Sequence, residues 1–184
     1  SGEIIVVYPF DTPEKIEISA RIQKMAVDFR HLRLESTQPV FVEVKEHRLS
    51  LDQTTLLLNG DPLTVRGGLG VFPLGRLQVD IQGTVRAELL APFYPDLHPA
   101  GKLVIQSAIQ GDPANPTFFG RVELKDASLK LRTPELTLNK INGVFELSSR
   151  SIRADRITME SPWGAGRLSG ECLLKNLEPS RWTA

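Results

Sequence analysis

The chain has 184 residues, 41% of them hydrophobic and 24% charged, and its 22 basic side chains are balanced by 22 acidic ones. A formal charge of zero leaves no electrostatic footprint for nucleic acid or for an anionic membrane surface, and two tryptophans and two tyrosines are too few for a base-stacking platform. The single cysteine, Cys172, excludes an intrachain disulfide and so a small disulfide-stapled fold. The longest apolar runs, "EIIVVY" and "ELLAPF", fall far short of the roughly 18 residues of a membrane span. No basic segment leads into an apolar one at the start, so no targeting signal is read. The abrupt opening "SGEIIVVYPF" and ending "EPSRWTA" read as a piece of a longer protein, with any anchor or signal outside it.

In chain order, "EIIVVY" is a first strand. "TPEKIEISARIQKMAVDFRHL" offers a helix at its centre, but its β-branched, alternating flanks favour strand. In "LQVDIQGTVRAEL" the apolar side is Leu77, Val79, Ile81, Val85, Ala87 and Leu89, and the opposite side is polar throughout. Alternation of that length marks a strand with one dry and one wet face. "RAELLAPFYPDLHP" has room for one short turn before its prolines end it. "KLVIQSAIQ" continues the alternation. "RVELKDASLKLR" alternates through Val122 and Leu124, slips at Asp126-Ala127 and resumes at Leu129 and Leu131, the pattern of a β-bulge. "ELTL", "VFELS", "SIRADRITME" and "AGRLSGECLL" read as further strands. Turns at "LNGDP", "FPLG", "GDPANP", "SSRS" and "SPWGAG" punctuate the chain as in an all-β protein.

One phrase is stated twice. "TVRGGLGVFPL" and "GRLSGECLLKN" align when the chain is shifted by 103 residues, placing Gly67 on Gly170. The same shift sets Val42 on Phe145, Val44 on Leu147, Leu49 on Ile152, Asp52 on Asp155, Leu56 on Met159 and Val65 on Leu168. The apolar phase agrees on every strand, and a slip of one residue would reverse the faces. Chance likeness between alternating strands is the plain alternative. The other reading is a repeat architecture, in which 1–184 is one domain built of a unit at about 17–97 and a second at about 98–177.

The order of short phrases in "HPAGKLVIQSAIQGDPANPTFFGRVELKDASLKLRTPELTLNKINGVFELSSRSIRADRITMESPWGAGRLSGECLLKN" resembles the repeats of the TamB family within the AsmA-like envelope proteins. It rests on Gly101 before a strand, Gly111 and Pro116 after one, Gly120, the "INGVFEL" phrase with Gly143, and the closing "GAGRLSG". The resemblance implies an elongated, curved open antiparallel sheet, a β-taco with a U-shaped apolar groove. The residues alone equally allow a β-sandwich with a closed core.

The same likeness implies a periplasmic fragment whose parent is anchored in the inner membrane of a Gram-negative bacterium. It would offer its groove to phospholipid acyl chains moving between inner and outer membranes, in outer-membrane biogenesis, and would meet an outer-membrane barrel of the TamA type. An exposed acyl chain costs about 0.8 kcal/mol per CH₂ in water, which a continuous apolar lining would remove. The residues placed on that lining are Val42, Val44, Leu49, Leu51, Val65, Leu69, Val79, Ile81 and Val85. From the second unit come Ile105, Val122, Leu124, Leu129, Leu131, Phe145, Leu147, Ile152, Ala154, Met159 and Leu168. Two rivals stand beside this expectation: a periplasmic chaperone holding unfolded outer-membrane or autotransporter segments along the sheet's edges, and a structural β-repeat with a closed core.

No catalytic constellation is read, and neither metal nor cofactor is expected. His31, His47 and His98 lie in separate segments without ligand spacing. Cys172 falls on the face of Leu168 and Leu174 and reads as a small buried hydrophobe. Asp52 and Asp155, equivalent under the shift, each mark a turn or strand end. The glycines of "GGLGVFPLG" lack the lysine of a phosphate loop and read as a bulge or bend.

Overall fold

The computed structural model describes residues 2–7, 17–29, 31–70, 75–93, 96–132, 135–175 and 178–183. The turn read at Phe72–Leu74 lies outside them. Period-two alternation becomes strand almost throughout: β1 Gly2–Val7, β2 Glu17–Ile22, β3 Ala26–Phe29, β4 Leu32–Ser36, β5 Val40–Lys45, β6 Arg48–Leu58, β7 Asp61–Gly70 and β8 Leu77–Arg86. After a 3-10 helix at Ala87–Phe93, which is the short turn expected there, come β9 Leu97–Asp112, β10 Asn115–Leu131, β11 Leu136–Ser148, β12 Ser151–Ser161, β13 Gly164–Lys175 and β14 Glu178–Thr183.

The strands form one open antiparallel sheet that does not close into a barrel. Its order is β1-β2-β5-β6-β7-β8-β9-β10-β11-β12-β13-β14, with β3 beside β4 and β4 beside β6. A single sheet is not the two-sheet sandwich that composition allowed. The stretch in which strand was favoured over helix forms β2 and β3 where it is described, because its β-branched residues alternate. Two local readings need correction. "ELTL" and "VFELS" are one strand, β11, and Gly101 lies within β9 instead of ahead of it.

Contacts divide the chain into two compact units, Ser1–Ile81 with Ala108–Thr117, and Gln82–Ser107 with Phe118–Ala184. In the first, β5–β6 and β6–β7 are tight hairpins. Asn59 and Gly60 stand at φ 50° and 90° in the second, the left-handed pair that a two-residue hairpin with the sheet's own twist requires. The Asn59 side chain accepts from the Arg33 amide at 2.6 Å and donates to the His31 carbonyl at 3.1 Å, tying the β3–β4 turn to this hairpin. Val40, Leu56, Leu63 and Thr54 are buried beneath these strands.

In the second unit three neighbouring strands each carry an extra residue. Asp126, Lys140 and Arg156 stand at φ 47°, 47° and 46°, and the pairing register shifts at each. The residue after each is turned inward: Ala127, Ile141 and Ile157 form the buried cluster of this unit, with Leu124, Leu129, Leu138, Phe145, Ala154 and Met159 against it. The slip read at Asp126-Ala127 is thus a bulge. Gly143 makes the row compact: a Cβ there would meet the Ile157 Cα at 2.8 Å, at a φ of 153° that side chains rarely adopt.

The strands of the doubled phrase repeat their pairing. Leu49 faces Leu69, Leu51 faces Gly67, and Thr54 faces Val65 across β6–β7. Across β12–β13, 103 residues on, Ile152 faces Cys172, Ala154 faces Gly170, and Ile157 faces Leu168. The register shift between Leu51 and Thr54 recurs between Ala154 and Ile157. On the other side, Val42–Leu51 and Val44–Leu49 recur as Phe145–Ala154 and Leu147–Ile152.

Candidate functional site: a one-sided apolar face

Directly paired residues of neighbouring strands share a face, so pairing shows which side each expected lining residue occupies. In the first unit, Val42 lies between Ala20 and Leu51, and Val44 between Ile18 and Leu49. Leu49 and Leu51 continue to Leu69 and Gly67, and Thr54 to Val65. A Cβ at Gly67 would stand 3.0 Å from the Val79 Cγ2, which brings β8 onto this side with Val79 and, two residues on, Ile81. The six lining residues assigned to β5, β6 and β7 and β8's Val79 and Ile81 therefore share one face.

In the second unit Val122 pairs with Phe145, Leu129 with Leu138, and Leu131 with Leu136. Phe145 pairs with Ala154, Leu147 with Ile152, and Leu168 with Ile157. Leu124 and Met159 pack on the Ala127 cluster of the same side. Ser107 of β9 lies 3.2 Å from where a Gly120 Cβ would stand, and Gly120 pairs with Leu147, so Ile105 alternates onto this face too. Val85 is buried. Cys172, 1% exposed and opposite Ile152, belongs to the same side, as read from its spacing.

Most of these side chains are half-buried: Leu49, Leu51, Val65, Leu69, Ile105, Phe145, Ile152 and Met159 are neither sealed nor free. Full burial is reached beside the bulges at Ala127, Ile141 and Ile157, and away from them at Val40, Val85 and Ala87. Leu168 is 46% exposed although it faces Ile157, which is 2% exposed. The face thus grades from sealed to half-exposed side chains. Several of its members, Leu56, Leu63, Leu103, Ala127, Leu138, Ile141 and Ile157, were not assigned from spacing. The signal for Ile157 is present: the apolar phase passes from Ile152 and Ala154 to Ile157 and Met159, which requires one extra residue between them.

The reverse face is mainly polar, though Ile5, Phe41, Phe119 and Leu173 are exposed on it, and it is stitched across strands. Lys45 meets Glu17 at 3.1 Å, Arg66 meets Asp80 at 3.2 Å, and Lys140 meets Glu160 at 3.0 Å. The hydrogen bond to Glu17, then its charge, raises the Lys45 ammonium above its ordinary 10.5. Asn142 braces the bulge in β10, its Oδ1 accepting from the Asp126 amide at 2.9 Å.

Asp52 and Asp155 do not mark turns or strand ends. Each stands in mid-strand where the register shifts, because a bulge interrupts a strand without ending it. Beside them lie two shallow depressions, of about 360 Å³ along Arg48, Asp52, Arg66 and Asp80, and about 420 Å³ along Arg153, Asp155, Glu171 and Thr183. Their positions correspond but their charges do not, so they define no common ligand. His31, His47 and His98 are exposed, and among the described residues no three His, Cys, Asp or Glu side chains converge to hold a metal. Searches against family models, curated proteins and solved structures return no match.

Proposed function

We propose that this chain is a length of a TamB-like or AsmA-like lipid conduit, and that its apolar face carries phospholipid acyl chains through the periplasm between inner and outer membranes. One observation supports this reading above the others: aliphatic side chains occupy one face in both compact units and remain half-exposed there. Transfer of an acyl chain from water to such a face gains about 0.8 kcal/mol per CH₂. The lining is apolar and carries no fixed polar clamp among the residues assigned to it, which suits a surface that must release what it binds. A head group would stay in solvent. The parent's inner-membrane anchor and its outer-membrane barrel partner belong to the same proposal.

Photo-crosslinking in cells tests it, with the reactive residue placed at Ile81 or Ile152 on the apolar face, or at Arg153 on the polar one. Lipid adducts at the first two positions and not at the third support the conduit. Adducts to unfolded polypeptide without lipid overturn it in favour of a chaperone, and the absence of any adduct at Ile81 and Ile152 overturns both.

A further inference from the structure

On the reverse face, paired residues fall into rows that cross the strands. One row of the second unit is Arg121, Glu146, Arg153 and Glu171, each directly opposite the next on β10 to β13. It is a ladder of alternating charge. Under the shift of 103, the matching row of the first unit holds Glu43, Ser50 and Gly68, with Ser19 opposite Glu43 as Arg121 is opposite Glu146. Two serines and a glycine thus stand where the second unit has two arginines and a glutamate. The row continues onto β8: a Gly67 Cβ would stand 2.9 Å from the Val79 Cα, so Gly68 is beside Gln78.

The rows on either side keep their long side chains. Glu17, Lys45 and Arg48 line one, with Lys45 Nζ 3.1 Å from Glu17 Oε1. Arg21, Phe41, Asp52, Arg66 and Asp80 line the other, with Arg66 Nε 3.2 Å from Asp80 Oδ2. The low row between them is a trough across β2, β5, β6, β7 and β8, wholly within the first unit. The depression of about 360 Å³ along Arg48, Asp52, Arg66 and Asp80 is its β6–β8 part. Arg48 leans into it: its Nε lies 3.2 Å from where a Gly68 Cβ would stand, so the missing side chain lets a guanidinium reach the floor.

We propose that this trough binds a neutral, β-1,4-linked glycan laid across the strands. Charge balance selects a neutral occupant. Glu17, Glu43, Asp52 and Asp80 offset Arg21, Lys45, Arg48 and Arg66, so the surface has no net sign with which to gather a polyanion or a polycation. The chemistry of the walls selects a sugar. Carboxylates, guanidinium groups and the Gln78 amide are planar groups that accept or donate in pairs, as neighbouring hydroxyls require. The Phe41 ring, 49% exposed, offers an apolar surface to the C–H face of a pyranose, and the Arg21 guanidinium lies 5.4 Å from its centre on the β2 side. The spacing selects the linkage. Neighbouring strands lie about 4.8 Å apart, close to the advance of one extended β-linked pyranose, so a chain crossing the trough sets one sugar over each strand. The proposal does not depend on what the apolar face carries.

Titration of the ¹⁵N-labelled protein with cellopentaose, one sugar for each strand of the trough, tests it through amide chemical shifts. Saturable shifts are expected at Ser50, Gly68 and Gln78 and not at Arg153 or Glu171. Cellobiose, which spans fewer strands, should bind severalfold more weakly, and maltopentaose, whose α-linkage curls the chain, should bind more weakly too. Ser50→Arg puts into the trough the residue that the matching strand already carries at position 153, and should abolish the shifts. Phe41→Ala, at an exposed position, should weaken binding severalfold; circular dichroism checks that the strands of both variants persist. No saturable shift with cellopentaose overturns the proposal, as do shifts confined to the apolar face or the second unit. Binding that both folded variants leave unchanged overturns it as well. Equal binding of maltopentaose overturns the strand-by-strand register, and binding of a sulfated pentasaccharide in place of cellopentaose overturns the neutral occupant.

Discussion

Ala127 on β10 stands directly opposite Ile141 on β11, and each follows a residue held at positive φ, Asp126 and Lys140. Arg156 and Ile157 on β12 repeat the arrangement. A left-handed residue thus precedes each of the three apolar side chains of the buried cluster. The bulge changes which face the following residues occupy, and the aliphatic phase of the sequence changes with it.

Arg156 gives the cleanest test of that coupling, because its side chain is exposed and, among the described residues, pairs with the neighbouring Asp155 at 3.6 Å. A left-handed backbone costs an L-residue roughly 1–2 kcal/mol, more if β-branched. Arg156→Gly is therefore expected to hold or raise the urea midpoint, and Arg156→Val to lower it. Equal effects would show that the left-handed conformation is not kept in solution.

Ile157→Ala is expected to cost about 2–5 kcal/mol, as truncations at sealed sites do. Leu168→Ala, at its direct but half-exposed partner, should cost under about 2 kcal/mol. Urea titrations with unchanged slope measure both. Comparable losses would mean that Leu168 is covered in solution.

The Glu17–Lys45 pair links stability to alkaline pH. Lys45 titrates higher in the folded chain than its ordinary 10.5, so its contribution is complete below that value and fades as pH rises through the folded one. Wild type should slightly exceed Glu17→Gln in stability at neutral pH and low salt, with the difference vanishing at strongly alkaline pH. Both groups are solvent-exposed, so added salt should shrink it too. A difference that persists when Lys45 is neutral would point to packing of the Glu17 stem.

Much of the fold was legible because a strand's period is local. Leu77 to Leu89 announced a dry and a wet side, the slip at Asp126-Ala127 announced a bulge, and the shift of 103 aligned Leu49–Leu69 with Ile152–Cys172 before any pairing was known. The bulges at Lys140 and Arg156 went unread. In "LNKINGV" and "RADRIT" polar residues surround the extra position, so a change of phase resembles a gap between strands. Ile141 and Ile157 were lost with them. The pairing of β4 with the far half of β6 was also hidden, since it joins distant residues, Leu34 to Leu58 and Ser36 to Leu56, through no local pattern.

From β6 to β14 every strand pairs with the one just before it in the chain. Loops as short as Glu46–His47 and Asn59–Gly60 close these pairs, and short closures are entropically cheap and fast. The sheet can thus grow by accretion, each newly arriving strand finding its template already in place. Two strands must wait for a distant partner: β2 for β5, with the β3–β4 hairpin between them, and β4 for β6, with β5 between them. The amino-terminal end is where assembly should be slowest and where an interrupted chain would hold its strands unpaired longest.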